Sequence, residues 1–320
     1  MGLPGGPPWC SSIAGQRVDG QVVLQLGPGL YSPKGGAVRL RGVRRYHWAR
    51  DVDEALSLLS AYQGKGALLA GGVDLARSPR TDLEGLIDIT GAGLSYIRED
   101  GKGLHLGATA TLAEILSSAQ AQEYAGGILR ETLRLVAYPA LRNMATLGGA
   151  VVSAHPWADI PTLLVALDAE VLYRNAEGEK RMSLAELYRT DFRRIFRESV
   201  LLEVLLPPRP GAFAFEKIGR NAGDIALLNA CAGLSLKDGR IAWARLSVGA
   251  RPERGERLPW LEEALVGERP SEALWRKVEE EVRARIEVGS DRRASEAWRR
   301  EVAGVLVRRA LARAAGKAGL

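Results

Sequence analysis

The sequence predicts a protein of the α+β class, and two observations support that prediction. Between residues 43 and 207, strand-like runs alternate with glycine-rich turns and helical patterns. This region has no repeated βαβ unit and no GxGxxG motif, which argues against a Rossmann fold. After the proline-rich boundary at 207–211, three strand-like runs precede three helical ones. That order is typical of a three-stranded antiparallel sheet covered on one face.

The first elements are identified by their caps and their periodicity. Residues 1–37 are rich in glycine and proline, so we expect a loosely ordered extension with one short strand at 22–26. Helix starts are indicated by the pairs Asp51/Glu54 and Thr111/Glu114, each spaced as a capping box. The predicted elements up to residue 169 are a helix on 52–62, strands at 67–70 and 85–90, a hairpin of 94–98 and 104–108, helices from 111 to about 120 and over 128–136, a strand-like run at 150–154, and a helix over 162–169.

The C-terminal elements follow the same rules. The pair Asp238-Gly239 marks a tight turn between two long apolar runs. The predicted elements are strands at 212–217, 227–236 and 240–249, then helices at about 258–267, 271–287 and 294–315.

Composition limits the classes of function. The 320 residues, 46% of them hydrophobic, allow two or three domains. Two distant cysteines, Cys10 and Cys231, provide neither a disulfide framework nor the ligands of an iron–sulfur cluster or a zinc ion, which favours a reducing cytoplasm. No apolar run approaches the roughly 20 residues of a membrane span, and no signal-peptide pattern opens the chain.

The net charge of +6 is concentrated at the C-terminus. Residues 291–320 contain eight basic and three acidic side chains, so one predicted helix carries most of the excess. The sequence has no zinc finger, RNP-like motif or recognition-helix pattern, and we therefore expect no nucleic-acid partner. The basic helix is interpreted either as a solvated face or as a surface that docks a partner subunit.

Two glycine pairs carry the candidate chemistry. Each follows or precedes a buried apolar run, one within Ala70–Leu75 and the other within Thr146–Gly149. Adjacent glycines let the backbone adopt positive φ and approach a ligand closely, and successive N–H groups in such a turn bind phosphate oxygens. Together with the helix that begins at Asp159, the two turns predict a site that binds one large anionic ligand from two sides.

These motifs give the chain a resemblance to a known family. It resembles the FAD-binding medium subunit of molybdenum hydroxylases, the group that includes xanthine dehydrogenase and aerobic carbon monoxide dehydrogenase. The matching motifs extend in the family's order over about residues 43–315, and they are AGGVDL at 70–75, RNMATLGGA at 142–150, ADIP at 158–161, FEK at 215–217, Arg220, DIA at 224–226, and DRRASEAWR at 291–299.

The resemblance implies a fold and a domain arrangement. The expected FAD-binding domain is of the p-cresol methylhydroxylase/vanillyl-alcohol oxidase (PCMH) type and covers residues 38–210, with two lobes at about 38–90 and 91–210. A C-terminal α+β domain of the carbon monoxide dehydrogenase flavoprotein type then covers 211–320.

The resemblance also implies a set of FAD-binding residues. Both glycine turns meet the diphosphate, with the Thr146 hydroxyl as an extra donor. Asp159 either accepts hydrogen bonds from a ribose or ribityl hydroxyl or caps its helix. Leu201 is either an apolar flavin contact or an ordinary strand residue, and Lys217 is either a cation that tunes the flavin or a member of a surface ion pair. The expected cofactor-binding residues are Leu69, Ala70, Gly71, Gly72, Val73, Asp74, Leu75, Thr146, Gly148, Gly149, Asp159, Leu201 and Lys217.

Two positions depart from the family pattern. Val73 stands where the family usually has a polar side chain, and Ala150 stands where it usually has Asn. Each change removes a hydrogen bond worth about 1 kcal/mol net, while the backbone donors survive. His155 and Ser153 lie inside the motif region but match no metal or hydrolase pattern, and for His155 local packing or hydrogen bonding is expected.

The function implied is electron transfer within a complex. Flavin accepts electrons from an iron–sulfur small subunit and passes them to NAD, a quinone or oxygen, while a molybdopterin-bearing large subunit hydroxylates the substrate. Two alternatives stay open: a self-contained FAD oxidoreductase of the same fold, and a scaffold subunit that has lost its flavin.

Overall fold

Three β-sheets organise the part of the chain that the structure describes. The computed structural model describes residues 13–18, 21–26, 40, 42–78, 80–221 and 223–319. For residues 13–18 and 21–26 it describes only the backbone.

The first sheet combines antiparallel and parallel pairing. Its strands are β1 (Ile13–Val18), β2 (Gln21–Leu26), β3 (Arg45–Trp48), β4 (Gly66–Leu69) and β5 (Gly85–Asp88). They are arranged in the order β1-β2-β3-β5-β4, with β3, β5 and β4 parallel. Helix α1 (Val52–Ala61) forms the crossover that connects β3 to β4. Asp51 caps α1 as predicted, since its carboxylate accepts from the Glu54 amide at 2.8 Å.

The N-terminal extension is more regular than its composition indicated. The predicted strand is confirmed as β2, but β1 was not predicted, and the two strands pair as an antiparallel hairpin beside β3. The sequence of β1, IAGQRV, lacks the alternation of apolar and polar residues that predicts a strand. Its strand conformation therefore depends on pairing with the neighbouring strand. The rest of residues 1–37 lies outside the described residues.

The second sheet is antiparallel and contributes to the largest apolar cluster among the described residues. Its strands are β6 (Ile97–Asp100), β7 (Gly103–Gly107), β8 (Glu170–Asn175), β9 (Gly178–Ser183) and β10 (Val200–Leu206). Their order is β6-β7-β10-β8-β9.

Most helices of this region lie between β7 and β8. They are α2 (Leu112–Ser117), α3 (Ala119–Glu123), α4 (Ile128–Leu135), α5 (Pro139–Arg142), α6 (Leu147–Ser153) and α7 (Asp159–Ala166), while α8 (Leu184–Leu187) and α9 (Phe192–Ile195) precede β10. Thr111 and Glu114 form the predicted capping box of α2. Every residue of α7 is buried, which identifies it as a core helix.

The prediction of a strand-like run at 150–154 was wrong, because these residues belong to α6 and its C-terminal cap. Thr146 caps this helix, and its side-chain oxygen accepts from the Gly149 amide at 3.2 Å. A short apolar run with Val151 and Val152 fits either a strand or a buried helix, and periodicity alone does not separate the two.

The third sheet and its helices confirm the predicted C-terminal α+β arrangement. The elements are β11 (Ala212–Ile218), β12 (Leu228–Lys237), β13 (Arg240–Gly249), β14 (Glu256–Arg257), α10 (Pro259–Leu265), α11 (Glu272–Arg285) and α12 (Glu296–Lys317). The sheet is antiparallel in chain order, and the two-residue β14 adds a fourth strand to the three predicted. The domain boundaries proposed at 37 and 210, and the division of the lobes near 90, stay predictions.

The charges of the C-terminal segment mostly bind within the chain. Six of its eight basic side chains form ion pairs with carboxylates of this chain. Glu131 on α4 accepts from both Arg313, at 2.7 Å, and Lys317, at 2.5 Å, and it also accepts from the Phe215 amide at 3.3 Å. The terminal helix is thus anchored to α4 and β11, which weakens its interpretation as a docking surface.

We expect Glu131→Gln to lower the free energy of unfolding by about 1–2 kcal/mol, because two partly exposed cations and one amide lose their carboxylate. The matched control is Glu123→Gln on α3, whose side chain is exposed and has no ion pair among the described residues. Urea unfolding of both variants measures the difference. Equal midpoints for the two would show that Glu131 contributes no net stability.

Candidate functional site

The first glycine turn lies at the carboxyl edge of three parallel strands. It directly follows β4 and spans residues 70–75. Gly72 has a left-handed φ of +69°. Within the described part of the chain, the amides of Gly71, Gly72, Val73 and Asp74 donate to no protein acceptor. Successive main-chain donors in a turn, left without a protein partner, are the groups with which proteins bind anions.

The second glycine region lies directly against the first. A Cβ atom placed on Gly71 would lie only 1.6 Å from the Met144 carbonyl oxygen and 3.3 Å from the Ala145 Cα. No side chain fits between these backbones, so glycine is required at this position. Two segments that are more than 70 residues apart in sequence therefore meet, as the prediction of a two-sided site required.

Three of the four main-chain donors of the second turn are already used within the protein. The amides of Leu147 and Gly148 donate to carbonyls in the loop 108–110 at 2.9 and 2.8 Å, and the Gly149 amide donates to the Thr146 side chain. The Thr146 amide donates to no acceptor among the described residues, so the expectation that this turn supplies a further main-chain donor stays a prediction for that group. Gly148 is glycine for packing, because a Cβ there would lie 2.7 Å from a carbonyl oxygen of the same loop.

Asp74 joins the two turns through side chains. Its carboxylate accepts from the Ser153 hydroxyl at 2.7 Å and lies 3.2 Å from His155 Nε2. The hydrogen bond with His155, assisted by the one from Ser153, lowers the pKa of Asp74 against the opposing effect of partial burial. The hydrogen-bonding role expected for His155 is confirmed, whereas the role of Ser153 was missed.

Asp159 and Lys217 form a buried ion pair. The Lys217 ammonium lies 2.8 Å from Asp159 Oδ2, and both side chains are 5% exposed. Asn229 donates to the other carboxylate oxygen at 2.7 Å, and Lys217 also donates to the Leu135 carbonyl. Burial raises the pKa of Asp159, although Lys217 and Asn229 oppose this. Asp159 does not cap α7, and Lys217 forms a buried pair and no surface pair. The alternative role of each residue, a contact with FAD, stays a prediction.

Leu201 is a core residue of β10. It is 4% exposed and pairs with Tyr173 of β8, which is the ordinary strand role considered for it. Asn229 was missed by sequence reasoning, although an amide inside the apolar strand β12 is a usable signal. A fully buried polar side chain requires a partner, and here the partner is Asp159.

Two family models match the chain. Residues 40–209 match the model of the FAD binding domain in molybdopterin dehydrogenase, and residues 213–314 match the CO dehydrogenase flavoprotein C-terminal domain. The chain belongs to the molybdopterin dehydrogenase flavoprotein family. It is accordingly a FAD-dependent oxidoreductase subunit, and the predicted resemblance is confirmed.

The chain aligns with individual members of this family over nearly their full length. The chain is 30% identical over 286 residues to the carbon monoxide dehydrogenase medium chain of Afipia carboxidovorans, covering 85% of this chain and 97% of the relative. It is 26% identical over 271 residues to the glyceraldehyde dehydrogenase medium chain of Sulfolobus acidocaldarius, covering 83% and 96%. The structure of quinoline 2-oxidoreductase from Pseudomonas putida 86 superposes with a TM-score of 0.80 at 26% identity, covering 86% of this chain and 98% of that one. These matches confirm the predicted fold class.

The family's cofactor, FAD, fits the first turn. Its diphosphate is an anion, and the four unpartnered amides at 71–74 are donors suited to it. Because these donors are main-chain groups, the departures of this flavoprotein at Val73 and Ala150 leave them in place. The described residues contain no group of three or more His, Cys, Asp or Glu side chains able to hold a metal ion. None of the helices in the described ranges combines the length and apolar character of a membrane span.

We expect Gly71→Ala to cost about 1–3 kcal/mol in unfolding free energy, because the new methyl group overlaps the Met144 carbonyl and forces the turns apart. Gly101→Ala is the matched control, since a Cβ there meets no atom within 4 Å. Thermal and urea unfolding compare the two. A Gly71 variant as stable as the Gly101 variant would contradict the close approach of the two backbones.

We expect Lys217→Met to cost about 3–5 kcal/mol near neutral pH, because it leaves the Asp159 carboxylate buried without its cation. Burial raises the pKa of Asp159, so the ionised carboxylate destabilises the folded state and the protonated carboxyl does not. The loss of unfolding free energy in the variant, relative to the wild type, therefore becomes smaller as pH falls. Urea unfolding at about pH 7 and about pH 5 measures this. Lys180→Met, which removes an exposed pair with Glu177, serves as the control. A deficit that does not change with pH would exclude Asp159 as its source.

Proposed function

We propose that this chain is the FAD-carrying electron-transfer subunit of a molybdenum hydroxylase complex. In this role it receives electrons from an iron–sulfur small subunit and delivers them to NAD, a quinone or oxygen, while a molybdopterin-bearing large subunit carries out substrate hydroxylation. The proposal is supported by membership of the flavoprotein family and by relatives that are named medium chains of such dehydrogenases.

The observation that carries the proposal is the row of unpartnered amides at 71–74, closed on one side by the Met144 backbone. We assign residues 69–75 to the diphosphate of FAD, with the four amides of 71–74 as donors. Thr146 and the Gly148-Gly149 pair form the opposite wall, where the Thr146 hydroxyl hydrogen is a further donor. FAD, when bound, supplies the redox chemistry, and the protein binds and orients it.

The remaining predicted residues act from behind this surface. Asp159 and Lys217 hold the core helix α7 to β11, so they fix the position of the loop 154–158 that precedes α7. Leu201 lies in the core of the second sheet. Their assigned role is therefore to position the binding surface, and direct contact with flavin is not required of them.

The cofactor is tested by purifying the full chain and identifying the nucleotide released by acid. We expect a flavin absorption spectrum, release of FAD, and reconstitution of the stripped protein by FAD in preference to FMN, which has no diphosphate for the amides to bind. Gly71→Ala should hold much less FAD than the wild type, and Gly101→Ala should hold the same amount.

Three outcomes would contradict the proposal. A folded, colourless protein that FAD cannot reconstitute would indicate a scaffold subunit. Oxidation of an organic substrate by the isolated chain would indicate a self-contained oxidoreductase. Equal affinity for FAD and FMN would exclude the amides at 71–74 as the diphosphate site.

A further inference from the structure

A chain of side-chain contacts connects the first glycine turn to the C-terminal domain. The His155 ring stacks on the Trp157 indole, with centroids 4.8 Å apart and planes inclined by 4°. The Arg293 guanidinium lies 5.0 Å from the centroid of the same indole. Arg293 is itself held by Asp291, at 2.7 Å, and by the Ala226 carbonyl, at 3.1 Å. Trp157 therefore links His155, the partner of Asp74, to the C-terminal domain.

Asp74 creates an electrostatic problem for the turn that contains it. Its carboxylate is part of the segment whose amides are assigned to a diphosphate, and two anions in one turn repel each other. Ser153 and His155 engage its two oxygens separately, Oδ2 and Oδ1. They thus direct the carboxylate toward α6 and the loop that follows it. His155 is 37% exposed, and its ring is held in this orientation by its flat contact with Trp157.

We propose, building on the proposed function, that Trp157 is a positioning residue for FAD binding. Through its stack with His155 it directs the Asp74 carboxylate away from the diphosphate donors, and through Arg293 it makes the geometry of the first turn depend on the C-terminal domain. Loss of the indole releases the imidazole, and the Asp74 carboxylate then weakens binding of the diphosphate.

The experiment measures the dissociation constant for FAD in stripped, full-length protein. Trp157→Ala should raise it about two- to tenfold, the range expected for one aromatic stack, and Trp157→Phe should restore it. In an Asp74→Asn background, Trp157→Ala should change it less than twofold, since no carboxylate charge is left to be directed. Trp260→Ala is the matched control, because Trp260 also packs against an arginine, Arg285 at 3.9 Å, and no contact among the described residues connects it to Asp74.

The outcomes for the inference about Trp157 and for the proposed function can be told apart. Wild-type affinity in Trp157→Ala, or an equal loss in the Asp74→Asn background, overturns the inference and leaves the proposed function intact. Failure of the wild type itself to bind FAD overturns both. Thermal unfolding of each variant separates loss of fold from loss of affinity, and Trp157→Phe, which keeps an aromatic ring, gives the answer if Trp157→Ala does not fold.

Discussion

The arrangement of the binding region depends on a close backbone approach at Gly71. The first turn belongs to a small sheet with parallel strands, and Met144 belongs to the helical layer of the second sheet. These two layers meet where a single methyl group would not fit. The absence of a side chain at Gly71 therefore sets the separation of the two backbone segments. The hydrogen bonds of Asp74 to Ser153 and His155 then fix their relative orientation.

The C-terminal domain is attached to this region by polar contacts. The Asp159–Lys217 pair lies on one side of the interface, and on another side Asp168 accepts from Arg245 and Arg257 of the C-terminal domain, both at 2.9 Å. Buried or half-buried ion pairs add little net stability compared with apolar packing, but they tolerate few alternative arrangements. The interface therefore favours one defined position of the C-terminal sheet relative to α7.

Elements with local signals could be predicted from the sequence, and contacts between distant residues could not. The caps at Asp51 and Thr111 are identified within four residues of chain, and β12 and β13 are marked by long apolar runs around a tight turn. The character of α6 was missed because its glycines and valines fit a strand equally well. The pairing of Asp159 with Lys217 joins residues 58 apart, and the occupied amides of the second turn depend on a loop about 40 residues upstream. Neither contact leaves a local pattern in the sequence.

The main-chain character of the donors at 71–74 has a consequence for how such sites change over evolutionary time. Side chains in the turn can be exchanged without removing a donor, as valine at 73 illustrates, provided that the glycine at 71 is kept. Selection then acts on backbone shape more than on residue identity. The position in this segment with the least freedom to vary is therefore residue 71, where a side chain would overlap the Met144 carbonyl.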